Sequence, residues 1–86
     1  MKNSEIKIIC RKEKDLNKVI RPVVIFQPQE KDIYLDCLSF EGHCQMSYSY
    51  YRFKTKPATL DYCKNLLLSA GYILEELKVK KRLTKQ

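Results

Sequence analysis

Thr59-Leu60-Asp61-Tyr62-Cys63-Lys64-Asn65-Leu66-Leu67-Leu68-Ser69-Ala70-Gly71 is the only segment with a clean helical period. Leu60, Cys63, Leu66, Leu67 and Ala70 recur every three or four positions and make one apolar stripe. Thr59 offers an N-cap oxygen, Asp61 complements the positive start of a helix, and Pro57 stands just upstream. Gly71 ends the helix as a C′ residue, where a left-handed backbone is needed. Leu68 lies off the stripe, on the side of Asp61 and Lys64, and is a candidate contact for a protein partner.

Upstream the pattern changes to strands. Ile6-Lys7-Ile8-Ile9-Cys10 reads as the first, with β-branched residues on both faces. Residues 11–18 are polar and charged and read as a hairpin connection or loop. Residues 19–27 form a second strand around Val23, Val24, Ile25 and Phe26. Pro22 removes a ladder donor from it and belongs at an edge or bulge, and Pro28 ends it. Residues 32–38 form a third strand, with Ile33, Leu35 and Cys37 on one face and Tyr34, Asp36 and Leu38 on the other. Gly42, between Glu41 and His43, marks a turn. Beyond the helix, residues 72–80 read as a last strand with Ile73, Leu77 and Val79 inward. The expected fold is α+β: a mostly antiparallel, four- to five-stranded sheet with one amphipathic helix on one face, in ββββαβ-like order. The uncovered face is then solvated or a binding surface.

The chain of 86 residues is one small domain, 1–86, with a basic C-terminal tail over 78–86. No stretch approaches the ~18 apolar residues of a membrane span, and the N-terminal residues lack the apolar core of a secretory signal, so the expected location is the cytoplasm without membrane association. Seventeen Lys and Arg against ten Asp and Glu leave a net charge of +7, which favours polyanionic partners: RNA, DNA or an acidic protein patch.

Residues 45–54, Gln-Met-Ser-Tyr-Ser-Tyr-Tyr-Arg-Phe-Lys, fit helix and strand equally. On a strand, Tyr48 and Tyr50 form a stacking platform flanked by Arg52, Lys54 and Lys56, a combination suited to single-stranded nucleic acid. The bland alternative is that these tyrosines are core and rim of a half-buried sheet. Lys78, Lys80, Lys81 and Arg82 continue the basic character, as phosphate contacts or as a solvated tail.

Signals for catalysis are weak. His43 is the only histidine, and on a strand it points away from its neighbour Cys44. Both glycines are isolated, so no phosphate loop exists, and Asp32 and Asp36 are too far apart for one ion. Cys10, Cys37, Cys44 and Cys63 include no C-x-x-C pair; they read as buried free thiols in a reducing compartment, with no metal and no cofactor.

Gly42-His43, Tyr48-x-Tyr50, Thr55-Lys56-Pro57-Ala58-Thr59, Tyr62, Leu66 and Gly71-Tyr72 together resemble a signature of small phage and mobile-element proteins, over residues 42–77. The basic tail and the cysteine-containing segment around Gly42 depart from that pattern. The resemblance implies a phage or mobile-element origin and carries no catalytic residue. By analogy of size, charge and origin it suggests a non-enzymatic anti-defence protein, such as an anti-CRISPR inhibitor. Its partner is then a host effector protein, such as a CRISPR nuclease, or its guide RNA; a homodimer through a sheet edge is compatible with the fold. The alternatives are a general single-stranded RNA- or DNA-binding accessory protein and, behind it, a metal-independent ribonuclease toxin using Tyr50, Arg52, Lys54 and His43.

Overall fold

The computed structural model describes residues 6–14, 16–28, 33–81 and 83. The fold is α+β, with six strands and two helices in the order β1 (Ile6–Lys14), β2 (Ile20–Phe26), β3 (Tyr34–Ser39), β4 (Gly42–Ser47), α1 (Tyr48–Lys54), β5 (Thr55–Pro57), α2 (Leu60–Ser69) and β6 (Leu77–Lys80). A 3-10 turn over Leu74–Glu76 leads into β6. The sheet runs β4-β3-β2-β1-β5, and β6 also pairs with β1. β5 lies antiparallel beside residues 11–13 of β1, whereas β6 lies parallel beside residues 6–9. The two short strands therefore share one edge of β1 end to end.

Two expectations are corrected. The sheet has six strands rather than four or five, with one parallel ladder among its antiparallel ones, and a second helix is present. β1 also continues four residues beyond Cys10, because Arg11, Lys12 and Glu13 are held between β2 and β5 and Lys14 still pairs with β2. Charge alone does not make a loop when both ladders of a strand are filled.

The alternation along β1 divides the core. Ile8 and Cys10 pack with Val24 and Leu38 beneath Cys63, Leu66 and Leu67 of α2. Ile9 packs with Val23, Ile25, Leu35, Cys37 and Met46 on the other face, against Tyr50 and Tyr51 of α1 and Leu83. Both faces of the sheet are thus covered, which corrects the expected open face. Fully burying a Leu or Ile side chain stabilises by roughly 1.5–3 kcal/mol, so both layers matter to so small a domain.

α2 ends as the sequence requires. Thr59 Oγ1 accepts from Tyr62 N at 3.2 Å. At the other end Gly71 (φ 91) lets its own N–H reach Leu68 O and that of Tyr72 reach Leu67 O, each at 3.1 Å. These two bonds are the Schellman pattern. Leu60 is half-buried against the cluster beneath α2 as the stripe requires, Ala70 lies outside it, and Leu68 is exposed. Ile73 and Val79, expected inward, are exposed, as is Ile33, while Leu77 packs on the α2 side as expected.

β3 pairs with β2 only at Val24↔Leu38 and Ile25↔Cys37. In that register Pro22 would face Phe40, which lies in the turn beyond β3. Beside this short ladder lies a cleft of about 730 Å³ lined by Glu13, Arg21, Cys37, Cys44, Met46 and Tyr50 among others. Leu16 and Phe40, at its rims, are exposed apolar side chains.

Candidate functional site

Residues 48–54 are helical, which removes the strand platform. Ser47 Oγ accepts from Tyr50 N at 3.0 Å and starts α1. At about 100° per residue, Tyr48 and Tyr50 point in nearly opposite directions. Tyr48 and Arg52, four apart, share an exposed side, while Tyr50 turns to the sheet. Tyr50 Oη donates to Glu13 Oε2 at 3.0 Å, and burial together with that carboxylate raises its pKa. Lys54 is exposed at the end of α1.

Arg11 holds the end of α1 to the sheet. Its Nε donates to Thr55 Oγ1 at 2.8 Å, and one terminal nitrogen donates to Thr55 O at 2.8 Å and Tyr51 O at 3.3 Å. Its guanidinium carbon lies 4.5 Å from the centre of the Tyr51 ring. Arg11 is buried, and carbonyls plus an aromatic face compensate its charge.

Lys56 falls on β5 directly opposite Lys12 of β1. Lys78 falls on β6 directly opposite Lys7 of β1. Lys80 lies two residues further along the same face as Lys78, with Nζ donating to Gln27 Oε1 at 3.3 Å. The side chains of Lys7, Lys12, Lys56 and Lys78 make no hydrogen bond or ion pair with a described residue. Like charges directly opposite on neighbouring strands repel, so both pairs cost stability in the free protein. Because the alternation places Lys7 with Ile9 and Lys12 with Cys10, the pairs flank the two sides of one sheet edge, five residues apart along β1. The basic run at 78 onward thus begins inside the sheet rather than as a tail. Lys81 is exposed, and Arg82 lies outside the described residues. Leu68 projects from α2, across the sheet from α1, so the expected contact residues do not form one surface.

Lys12 escapes sequence reading because residues 11–18 look like a connection, and Lys7, though inside the expected first strand, gains its partner only through the non-local ladder with β6.

The four thiols form two close pairs. Cys10 and Cys63 meet beneath α2, where Cys63 also donates to Arg11 O at 3.5 Å; its bond to Cys10 and burial push the Cys63 thiol up. Cys37 and Cys44 face each other in the cleft with sulfurs 2.7 Å apart. Cys44 is exposed, which corrects the expectation that all four thiols are buried. His43 points to the α2 side, stacked on Phe26 at 5.9 Å between ring centres and 3.5 Å from Tyr72 Oη, so it and Cys44 face opposite ways. Among the described residues, no three His, Cys, Asp or Glu side chains converge on a metal-sized site. No described helix is long and apolar enough to cross a membrane.

Comparison with protein-family models, with curated proteins and with solved structures finds no match.

Proposed function

We propose that the chain is a non-enzymatic binding protein that engages a polyanion, single-stranded RNA, along the β1–β5/β6 edge. The observation that carries this reading is the pair of uncompensated lysine contacts, Lys12 opposite Lys56 and Lys7 opposite Lys78. Lysines on β5 and β6 alone would suffice to keep exposed edges from pairing with other chains. Lysines opposite them on the interior strand β1 add nothing to that protection and add repulsion. Phosphates laid along the edge convert the repulsion into binding, with release of counterions. Exposed Tyr48 and Arg52 add a stacking surface on α1.

Taken with the phage-like residues over 42–77, the proposed biological role is inhibition of a host defence system. The partner is an RNA-guided CRISPR effector, engaged through its guide RNA. In cells whose RNA-guided nuclease restricts a phage, expression of the chain restores plaque formation, and the variant with Lys7, Lys12, Lys56 and Lys78 all changed to Gln does not. Equal restoration by both would overturn the role of the edge. No restoration in the presence of RNA binding in vitro would leave a general RNA-binding accessory protein as the reading.

A further inference from the structure

The geometry points to Cys37 and Cys44 as a reversible oxidation site that closes to an intramolecular disulfide by exchange with small disulfides of the glutathione type. The two residues are direct partners in the β3–β4 ladder. Opposed residues of an antiparallel pair have Cα atoms ~4.5–5.5 Å apart, inside the ~4.4–6.8 Å that a disulfide spans. Their sulfurs are 2.7 Å apart, so reaching the ~2.05 Å of a disulfide takes a further approach of less than about 1 Å.

The pair is asymmetric in a way that orders the reaction. Cys44 is exposed on the wall of the cleft beside the β2–β3 ladder, whereas Cys37 is fully buried behind it. Burial, Cys44 and the Glu13 carboxylate all favour the protonated form of Cys37, so it is a poor first nucleophile. Cys44 therefore reacts first. Its thiol gives its proton to solvent, and the thiolate attacks one sulfur of the small disulfide, whose S–S bond breaks to release one thiolate. Cys37 then loses its proton and attacks Cys44 Sγ, and the second small thiolate leaves. Two protein thiols are oxidised to one disulfide, one small disulfide is reduced to two thiols, and the two protons pass to the leaving thiolates. Cys10 and Cys63 also lie close together, but both are buried beneath α2 and have no path to the oxidant.

The experiment treats the folded chain with oxidised glutathione, alkylates the remaining thiols and digests with trypsin. Residues 32–52 form a single fragment containing both Cys37 and Cys44. The expected result is loss of both alkylation sites in that fragment with the mass of two hydrogens removed, while Cys10 and Cys63 still alkylate after unfolding. A Cys37→Ala variant then holds glutathione on Cys44 stably, and the exposed-site variant Cys44→Ser leaves Cys37 unmodified. Full alkylation of Cys37 and Cys44, a lasting glutathione adduct on Cys44 of the unsubstituted chain, or a disulfide-linked dimer would each overturn the proposal.

Discussion

Arg11 and Thr55, forty-four residues apart in the chain, share two hydrogen bonds of 2.8 Å, one to the Thr55 hydroxyl and one to its carbonyl. The same hydroxyl donates to Tyr51 O at 2.5 Å, so three groups close the end of α1 onto β1. A helix of seven residues is far below the ~12–15 at which isolated helices become even marginal, so α1 exists because of this docking. Arg11→Lys keeps the charge and loses the fork. Hydrogen bonds to charged groups contribute ~1.5–3 kcal/mol, and the variant is expected to lose about 2 kcal/mol. In a domain of this size that lowers Tm by roughly 10 °C in thermal denaturation. An unchanged Tm would mean that α1 is held by Tyr50 and Tyr51 alone.

Gly71 provides a cleaner backbone test. A Cβ there meets no atom within 4 Å, so Gly71→Ala is opposed only by its φ of 91°. The expected loss is ~1–2 kcal/mol, read as a lower urea midpoint with unchanged slope. Gly42→Ala, at φ 107° with equally open surroundings, should behave alike. A neutral result at either position would mean that the turn relaxes to another conformation.

Stability should fall in alkali. Burial holds the Cys37 thiol above the ordinary 9.0, whereas the bond between Cys10 and Cys63 pushes Cys63 up and pulls Cys10 down, so that pair's shifts oppose each other. Tyr50 lies above 10.0 through burial and Glu13. An acid whose folded pKa is raised binds its proton more tightly when folded. Its contribution is complete below the ordinary value and is lost as pH climbs toward the folded one. The urea midpoint should therefore hold steady from neutral pH to about 9 and decline above it. Tyr50→Phe should make the decline shallower, and an identical decline would remove Tyr50 from the explanation.

The lysine edge makes stability and binding move in opposite directions. Lys12→Glu turns a repulsive contact with Lys56 into an attractive one and is expected to stabilise by ~0.2–1 kcal/mol while weakening RNA binding. A loss of stability would show that the two side chains avoid each other without cost.

α2 is legible in the sequence to the residue at both ends because its information is local: an N-cap at Thr59, a stripe, and a glycine at Gly71. The segment from Tyr48 to Lys54 is not. Its aromatic residues suit strands, and what makes it helical is the Ser47 cap together with Arg11, a partner forty residues upstream. β6 is hidden in part. The strand itself lies within the expected 72–80, but the parallel ladder with β1, which sets Lys78 opposite Lys7, cannot be read from the sequence. The lysine edge follows from both non-local pairings, so no window of sequence contains it.

The most direct test of the account is the salt dependence of RNA affinity, measured by fluorescence anisotropy with a labelled single-stranded RNA from low to near-physiological salt. Each phosphate contact on a single strand contributes a slope of about −0.7 in log affinity against log salt. Changing Lys7, Lys12, Lys56 and Lys78 to Gln is predicted to flatten the slope by about 3 with Tm unchanged or raised. A slope equal to that of the unsubstituted chain would contradict the account and free the edge lysines of any role in binding.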